Sequence, residues 1–417
     1  MFGLAVRLVR HAALSFLGTA AALALFAAET AGPSATPAPT PSATTVRSWT
    51  LRLGFAALTK PLPRDRPWVW LIDQTMQIGA VKLFVIVGLP LADVPFGQRP
   101  LQLSYLRLAA MVPMTDTTFP RVAEALEAAA ARTGAPAQIV SDAASELTKG
   151  IARFQEAHPQ TVGTADAAHH VANLLKHAWE GDGRWTEYVR RMSAAAAAMR
   201  QTAAARWRPP KLRNQARFMS AGVLVRFGRW LLSKLSAAAP DPAATRHYQW
   251  VLEFAPALAA WSAQHESAQA LLRRVRVEGL TADGAEQVAA AWPALEPDAC
   301  PSIAAFRQRL RDYLETQSRG LAGAARRVGS TEVMESAFGV QKRLARDQSG
   351  DGLTALCLGL GAMLGPATPA SLLADAERAP EKAVTARAAA TLGPTVQWER
   401  RWLFRAAAPV VSEPIPG

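Results

Sequence analysis

The sequence predicts an α/β protein, a mixed sheet flanked by helices and interrupted by a long all-helical segment. Two adjacent apolar runs, residues 68–79 and 81–88, are rich in Val, Ile, Leu and Trp and predict a β-hairpin. A strand near 101–111, a helix near 120–133, a strand at 137–142 and a helix from 145 follow. From 181 to 329 only helical periodicity remains.

Composition narrows the class of partner. The 417-residue chain is half apolar, so it can bury a large core, and its net charge of +13 favours a polyanion such as nucleic acid or an acidic membrane surface. Part of this excess could simply reflect a bias toward Ala and Arg. Two cysteines without a CxxC pair argue against a disulfide framework or a structural zinc site, and fit a reducing cytosol.

Two aspartates follow apolar strands. Asp73 stands where the first run stops being apolar, and Asp142 ends the strand at 137–142. A buried, unpaired carboxylate is costly, so each needs a metal, a base or solvent. If these strands are neighbours in the sheet, the two aspartates face each other. The alternative for Asp73 is a residue that merely starts a turn.

A third acid lies on a predicted helix after the helical segment. In residues 331–342, Met334 and Phe338 share an apolar face, whereas Glu335, Gly339 and Lys342 share another. An anionic and a cationic side chain two turns apart can reach a metal and a phosphate of the same strand. The alternative is an exposed ion pair that contributes little.

The helical segment contains a one-signed basic run. Residues 190–240 include no acid, and aromatic residues are interleaved with eleven Arg and Lys residues, among them Arg213 and Arg217. Such a run repels itself unless phosphates relieve the repulsion, which predicts DNA binding. The alternative is a solvated basic face with aromatic residues in the core.

The N-terminus allows two interpretations. Helices at 4–11 and 15–29, and a third after the Pro-rich linker at 33–41, predict a helix-turn-helix-like region. Ser42 or Thr44 would cap the third helix, Gly54 would end it, and Arg47 and Arg52 would point outward toward phosphates. Residues 1–28 also have the charged and apolar parts of a secretory signal, which would make the protein exported or membrane-tethered.

The three acids carry a family resemblance. Val69-Trp-Leu-Ile-Asp73-Gln-Thr-Met-Gln-Ile-Gly79, Ile139-Val-Ser-Asp142-Ala-Ala-Ser-Glu-Leu-Thr-Lys-Gly150 and Glu335-Ser-Ala-Phe-Gly-Val-Gln-Lys342 occur in this order, with a helical insertion before the Glu. In these three motifs and their order along the chain, residues 42–365 resemble the DDE transposases of insertion sequences. The resemblance implies an RNase H-like catalytic domain in which Asp73, Asp142 and Glu335 are the catalytic, metal-binding acids.

The resemblance implies further roles. Two Mg²⁺ ions, for which Mn²⁺ can substitute, are expected, because they suit a carboxylate site and a two-metal phosphodiester reaction. Lys342 is expected to steady a phosphate. Asp166-Ala-Ala-His169 lies where such proteins often have a further strand, and His169 would touch DNA or a carboxylate, or be an ordinary structural His. Of a related Tyr-Arg-Glu-Lys signature only Glu335 and Lys342 are matched, and Arg326 or Arg327 would have to replace the Arg.

The expected organisation is a DNA-binding region at 1–60, catalytic segments at 61–180 and 330–366, an all-α insertion at 181–329 that contacts the element's end, and a tail at 367–417. The expected function is nicking of element ends and joining of the 3′-OH to target DNA. Partners would be double-stranded DNA and a second copy or more, without a membrane, in the cytoplasm at the nucleoid. The alternatives are a metal-dependent nuclease without strand transfer and an idle or truncated relic that only binds DNA.

Overall fold

The computed structural model describes residues 1–31, 38–78, 81–211, 217–293, 301–346, 355–392 and 400–404. The chain forms two compact units. The sheet unit comprises residues 1–94, 101–163 and 331–417, and the helical unit comprises residues 95–100 and 164–330. The sheet unit is therefore assembled from three separated stretches of chain. The domain limits expected from the sequence stay predictions.

The elements are as follows. The strands are β1 Trp68–Ile78, β2 Val81–Pro90, β3 Arg107–Met114, β4 Gln138–Ser141 and β5 Val162–Ala165. The first five helices are α1 Phe2–His11, α2 Phe16–Thr30, α3 Ala43–Thr59, α4 Phe119–Thr133 and α5 Ser145–Ala157. The helical unit contains α6 Ala167–Glu180, α7 Gly183–Ala198, α8 Arg217–Leu235, α9 Pro242–Tyr248, α10 Ala255–Glu278, α11 Gly284–Ala290 and α12 Pro301–Gln317. The chain then adds α13 Glu332–Arg346, α14 Gly359–Ala362, α15 Pro369–Glu377 and α16 Glu381–Leu392.

The five strands form one mixed sheet in the order β3-β2-β1-β4-β5. β1 and β2 are antiparallel, as are β2 and β3, whereas β1 and β4 are parallel. The predicted α/β class and the hairpin are confirmed, although Gly79 at its turn lies outside the described residues. β3 begins later than predicted, because residues 103–105 form a turn and Leu106 precedes the strand.

Apolar side chains bury one face of the sheet. Trp68, Trp70 and Ile72 alternate along β1, and all three are fully buried. They share one core with residues of α4 and α5, including Val122 and Leu147. This face of the central strand is therefore not exposed at these positions. The apolar stretch of β1 ends at Asp73.

The three predicted N-terminal helices are present. Ser42 caps α3, its Oγ accepting the Thr45 N–H at 3.2 Å. The prediction that Gly54 ends this helix is wrong, because α3 continues to Thr59 and uses Gly54 for a close approach to the chain at Leu358. Among the helices that the structure describes, none is long and apolar enough to span a membrane.

The helical unit has its own aromatic core. Trp179, Trp185, Tyr188 and Trp261 lie together at ring-centroid distances of 4.6 to 6.2 Å. The helical periodicity predicted for this part of the chain is observed, although a 3-10 turn separates α9 from α10. In the described part of the apolar stretch at 352–365, only α14 and a preceding 3-10 turn are helical.

Candidate functional site

Asp73 lies within β1, and Asp142 directly follows β4, the parallel neighbour of β1. Leu71 of β1 pairs with Val140 of β4. Asp73 and Asp142 each lie two residues beyond this last pair. β1 and β4 are neighbours, as the sequence predicted, but β1 continues past Asp73 to Ile78, so Asp73 lies within its strand and not at its end. The expectation that the two aspartates face each other stays a prediction.

Both aspartates are half-buried, and each binds a nearby backbone amide. One Asp73 oxygen accepts the N–H of Gln74 at 2.6 Å. One Asp142 oxygen accepts the N–H of Ala144 at 2.9 Å, and Ala143 between them has a left-handed φ of 60°. Asp142 thus starts the turn into α5.

Glu335 lies on the exposed face of α13. Met334 and Phe338 are buried on the opposite face, and the helix packs against β1. Glu335, Gly339 and Lys342 are all exposed, so the predicted division of the helix into two faces is confirmed. Glu335 and Lys342 share one exposed surface of α13, and this helix is in contact with β1, the strand of Asp73.

The donor chemistry of this region suits magnesium. Asp73, Asp142 and Glu335 offer carboxylate oxygens, the hard ligands that Mg²⁺ prefers. However, among the described residues no three His, Cys, Asp or Glu side chains lie close enough together to hold a metal ion. The structure therefore does not gather Asp73, Asp142 and Glu335 into a metal-binding cluster.

Arg47 and Arg52 of α3 are not both directed outward, although the sequence predicted this. Arg52 is half-buried, and its guanidinium donates to the carbonyl oxygens of Ala379 at 2.7 Å and Ala376 at 2.6 Å. The prediction that Arg52 points outward is wrong, because its charge stabilises the carboxyl end of α15. Arg47 is partly buried too, and this burial lowers its pKa.

His169 lies in the helical unit, at the start of α6. Asp166 caps this helix, and one of its carboxylate oxygens accepts the His169 N–H at 2.9 Å and lies 2.6 Å from His169 Nδ1. The further strand expected at 166–169 is instead β5, which ends one residue before Asp166. The side chain does touch a neighbouring carboxylate, one of the two contacts expected for it.

Acids from outside the basic run neutralise part of it. Glu187 accepts hydrogen bonds from Arg190 and Arg191, which lower the pKa of its carboxyl to about 2. Asp241 lies 2.6 Å from Arg206, and Glu266 lies 3.2 Å from Arg229. The self-repulsion inferred from the sequence is therefore relieved in part within the unit. Arg213 lies outside the described residues, and of Arg217 only its place at the start of α8 is described.

One face of α8 keeps an exposed aromatic side chain beside cations. Trp230 is 41% exposed, and its ring lies 5.2 Å from Trp207 and 5.5 Å from Phe227. Lys234 Nζ lies 6.0 Å from the centre of the same ring, and Arg226 is exposed on this helix. Trp207 is therefore a core residue, as the alternative expected, whereas Trp230 is accessible to solvent; a role of these residues in DNA binding stays a prediction.

Arg326 and Arg327 have structural partners within the helical unit. Arg326 Nη1 lies 2.7 Å from Glu278 Oε2, and Arg327 donates to the carbonyl oxygens of Gln317 and Arg319 at 2.9 Å. Both side chains therefore serve the packing of this unit. The guess that one of them takes over the missing Arg of the signature gains no support from these contacts.

Comparison with known proteins gives a structural similarity but no sequence match. No family model matches the sequence, and no curated protein matches it. Among solved structures, the chain is similar to a chain of the Drosophila P element transposase strand transfer complex. The identity is 12% and the TM-score 0.30, over 92% of this chain and 95% of that chain.

Sequence reasoning missed several residues that shape these surfaces. Asp241 and Glu266 lie beyond the basic run and offer no local signal of their arginine partners. Asp166 does carry a signal, because an Asp three residues before a His at the start of a helix is a common capping arrangement. Arg52 has none, since its carbonyl partners lie more than 300 residues away along the chain.

Proposed function

We propose that this protein is a DNA strand-cleaving and strand-joining enzyme of the DDE transposase type, with an RNase H-like sheet. One observation carries the proposal. The central antiparallel hairpin has a parallel neighbour, β4; Asp73 lies in β1 two residues beyond Leu71, and Asp142 lies two residues beyond Val140, the residue that pairs with Leu71. Two carboxylates on neighbouring stretches of chain, with a third acid on a helix that contacts β1, suit metal-dependent phosphodiester chemistry.

Asp73, Asp142 and Glu335 would hold the magnesium ions. When bound, such ions neutralise the charge that develops on a phosphodiester as one oxygen attacks and another leaves. Asp73 is positioned by its pairing with Val85, and each aspartate accepts a hydrogen bond from a nearby backbone amide. Glu335 would be the third acid, from its exposed position on α13.

The remaining residues of the site act on the substrate. Lys342, exposed on the same face of α13 as Glu335, supplies positive charge to a phosphate beside the cut. Water is the nucleophile for nicking, and the freed 3′-OH is the nucleophile for joining. No side chain forms a covalent intermediate in this scheme. The three acids serve cleavage in this scheme, so removal of any one of them should leave DNA binding largely intact.

The basic surfaces support DNA as the substrate. The net charge of +13 favours a polyanion, and exposed cations of α8 such as Arg226 and Lys234 lie beside the exposed Trp230. Cations next to an aromatic face suit a phosphate backbone with exposed bases. His169, held by Asp166, is a further candidate contact to DNA on the helical unit. A second copy of the chain on DNA remains part of the proposal.

The test uses a plasmid that carries the gene with its own flanking DNA. We expect Asp73→Asn, Asp142→Asn and Glu335→Gln each to lower the cleavage rate by about 10³-fold, since a metal clamp contributes several kcal/mol and each 1.36 kcal/mol is tenfold. DNA binding, measured by mobility shift, should persist. Asp116→Asn, an exposed aspartate of the same unit, is the matched control.

Wild-type cleavage by Asp73→Asn would overturn the proposal. A pre-cut DNA end supplied with Mg²⁺ or Mn²⁺ separates the remaining alternatives. Joined products support the transposase, whereas breaks without joined products identify a nuclease. Binding without any break identifies a relic.

A further inference from the structure

A cavity of about 200 Å³ lies within the sheet unit, between α3, the start of β3 and the segment that contains α14 and α15. Its floor is apolar and includes Leu53, Leu106, Leu364 and Leu372, all of them buried. None of the acids considered above lines it. It is therefore a separate feature of the unit.

Three cations and one carboxylate line the same cavity, namely Lys60, Arg107, Arg378 and Asp375. Asp375 is shared, because its carboxylate lies 3.2 Å from Lys60 Nζ and 3.9 Å from Arg378 Nη1. Its charge is thus divided between two partners. The lining keeps an excess of positive charge above an apolar floor.

Arg107 is held by carbonyl oxygens. Its Nη1 donates to the carbonyl groups of Ser104, Tyr105 and Leu106 at 3.1 to 3.3 Å. Within the described part of the chain, its Nε and Nη2 make no hydrogen bond. One edge of a planar guanidinium, the group best matched to carboxylate and phosphate oxygens, is therefore available.

A second arginine, Arg10, adds positive charge next to Arg107. Arg10 is 7% exposed, and its guanidinium donates to Gly365 O at 2.6 Å and to Leu364 O at 3.4 Å. Burial lowers the pKa of Arg10, and the neighbouring charge of Arg107 lowers it further. Two like charges held close together in a partly desolvated place repel each other. The carboxylates of Asp93 and Asp375 offset part of that repulsion at Arg107, and an anion in the cavity would relieve more of it.

We propose that this cavity binds a small organic anion, with its phosphate or carboxylate head at Arg107 and Arg378 and its apolar body on the leucine floor. The volume sets the size, because pockets for drug-sized ligands measure about 300–1,000 Å³. The ligand is therefore a compact one, such as a phosphate monoester or carboxylate with a few carbon atoms. This site is independent of the proposed reaction on DNA.

Binding is measured by calorimetry on the purified full chain with phenyl phosphate, inorganic phosphate and phenol as probes. Phenyl phosphate has both the charge and the apolar body, so we expect it to bind at least about tenfold more tightly than inorganic phosphate, since several buried carbons contribute more than 1.4 kcal/mol. Phenol lacks the charge and should bind more weakly than phenyl phosphate. Equal binding of phenyl phosphate and inorganic phosphate, or no binding, would overturn the proposal.

Two substitutions locate the site. Arg378 is well exposed, so Arg378→Gln should leave the fold intact while weakening phenyl phosphate binding about three- to tenfold. Asp375→Asn removes the competing carboxylate and should tighten binding by a similar factor. Arg121→Gln, an exposed arginine of the same unit, is the control and should change nothing.

Affinities that stay the same in both variants would place the anion elsewhere and reject the site. Displacement of phenyl phosphate by a double-stranded oligonucleotide would also reject it, because the cavity would then be part of a nucleic-acid surface. Loss of DNA cleavage in Asp73→Asn leaves anion binding unchanged. The two proposals can therefore fail separately.

Discussion

Gly54 of α3 lies directly against the carbonyl oxygen of Leu358. A β-carbon built on Gly54 would be 1.7 Å from that oxygen and 2.5 Å from the carbonyl carbon. The absence of a side chain at Gly54 is thus what allows the N-terminal helix to approach the chain just before α14. The first and the last stretch of the sheet unit meet at this point.

Gly54→Ala should strongly destabilise the sheet unit, because neither backbone can withdraw without breaking the packing of α3. We expect a loss above about 3 kcal/mol, in the range of the largest single-site effects. Urea unfolding followed by tryptophan fluorescence measures it. Gly339→Ala on α13 is the matched control, since its β-carbon meets nothing within 4 Å. That variant should gain about 0.5–1 kcal/mol from helix propensity.

Arg52→Met should weaken the attachment of the last two helices. The side chain donates two hydrogen bonds to carbonyl oxygens at the end of α15, and hydrogen bonds to charged groups contribute about 1.5–3 kcal/mol. We expect a loss of about 2 kcal/mol, with earlier proteolysis after residue 366. Arg121→Met should leave both measurements at the wild-type value. A stable Arg52→Met protein would show that these contacts are dispensable.

Ala143→Gly should stabilise the turn after Asp142. Ala143 has a φ of 60°, and a left-handed conformation costs a residue with a β-carbon about 1–2 kcal/mol. The greater freedom of glycine in the unfolded chain offsets part of this, so the expected gain is about 0.5 kcal/mol. Ala131→Gly, on the exposed face of α4, should instead lose about 1 kcal/mol. Thermal melts of the two variants should therefore shift in opposite directions.

Acidification should destabilise the helical unit. Burial lowers the pKa of His170 and of His265 below 6.5. Below pH 6.5 the unfolded chain therefore binds more protons than the folded one. The contribution of these histidines to the free energy of unfolding is fully present above pH 6.5 and is lost as the pH decreases toward their pKa in the folded protein. The slope is at most about 1.4 kcal/mol per pH unit for each histidine.

His170→Phe should reduce this pH dependence while preserving the ring stack on Tyr313, whose centroid lies 4.3 Å away. Unfolding by urea at pH 7.5 and pH 5.5 gives the two free energies that are compared. His177→Gln is the control, because His177 is exposed. An unchanged pH dependence in His170→Phe would exclude this histidine as a contributor.

Local patterns predicted the parts of the fold that local forces determine. The hairpin, α4, α5 and the two faces of α13 follow from apolar periodicity. The partners of Arg52, Asp241 and Glu266 are fixed by tertiary contacts that leave no trace in nearby residues. Whether three acids far apart along the chain form one cluster depends on how α13 packs on β1, which a sequence pattern does not encode.

The three-part construction of the sheet unit has a consequence during synthesis. α3 emerges from the ribosome early, yet the chain that covers it, at Leu358 and in α15 and α16, is made more than 300 residues later. Throughout that interval the nascent N-terminal half presents uncovered apolar surface. Products that terminate before residue 355 never close it, and should be held by chaperones or degraded rather than accumulate as active fragments.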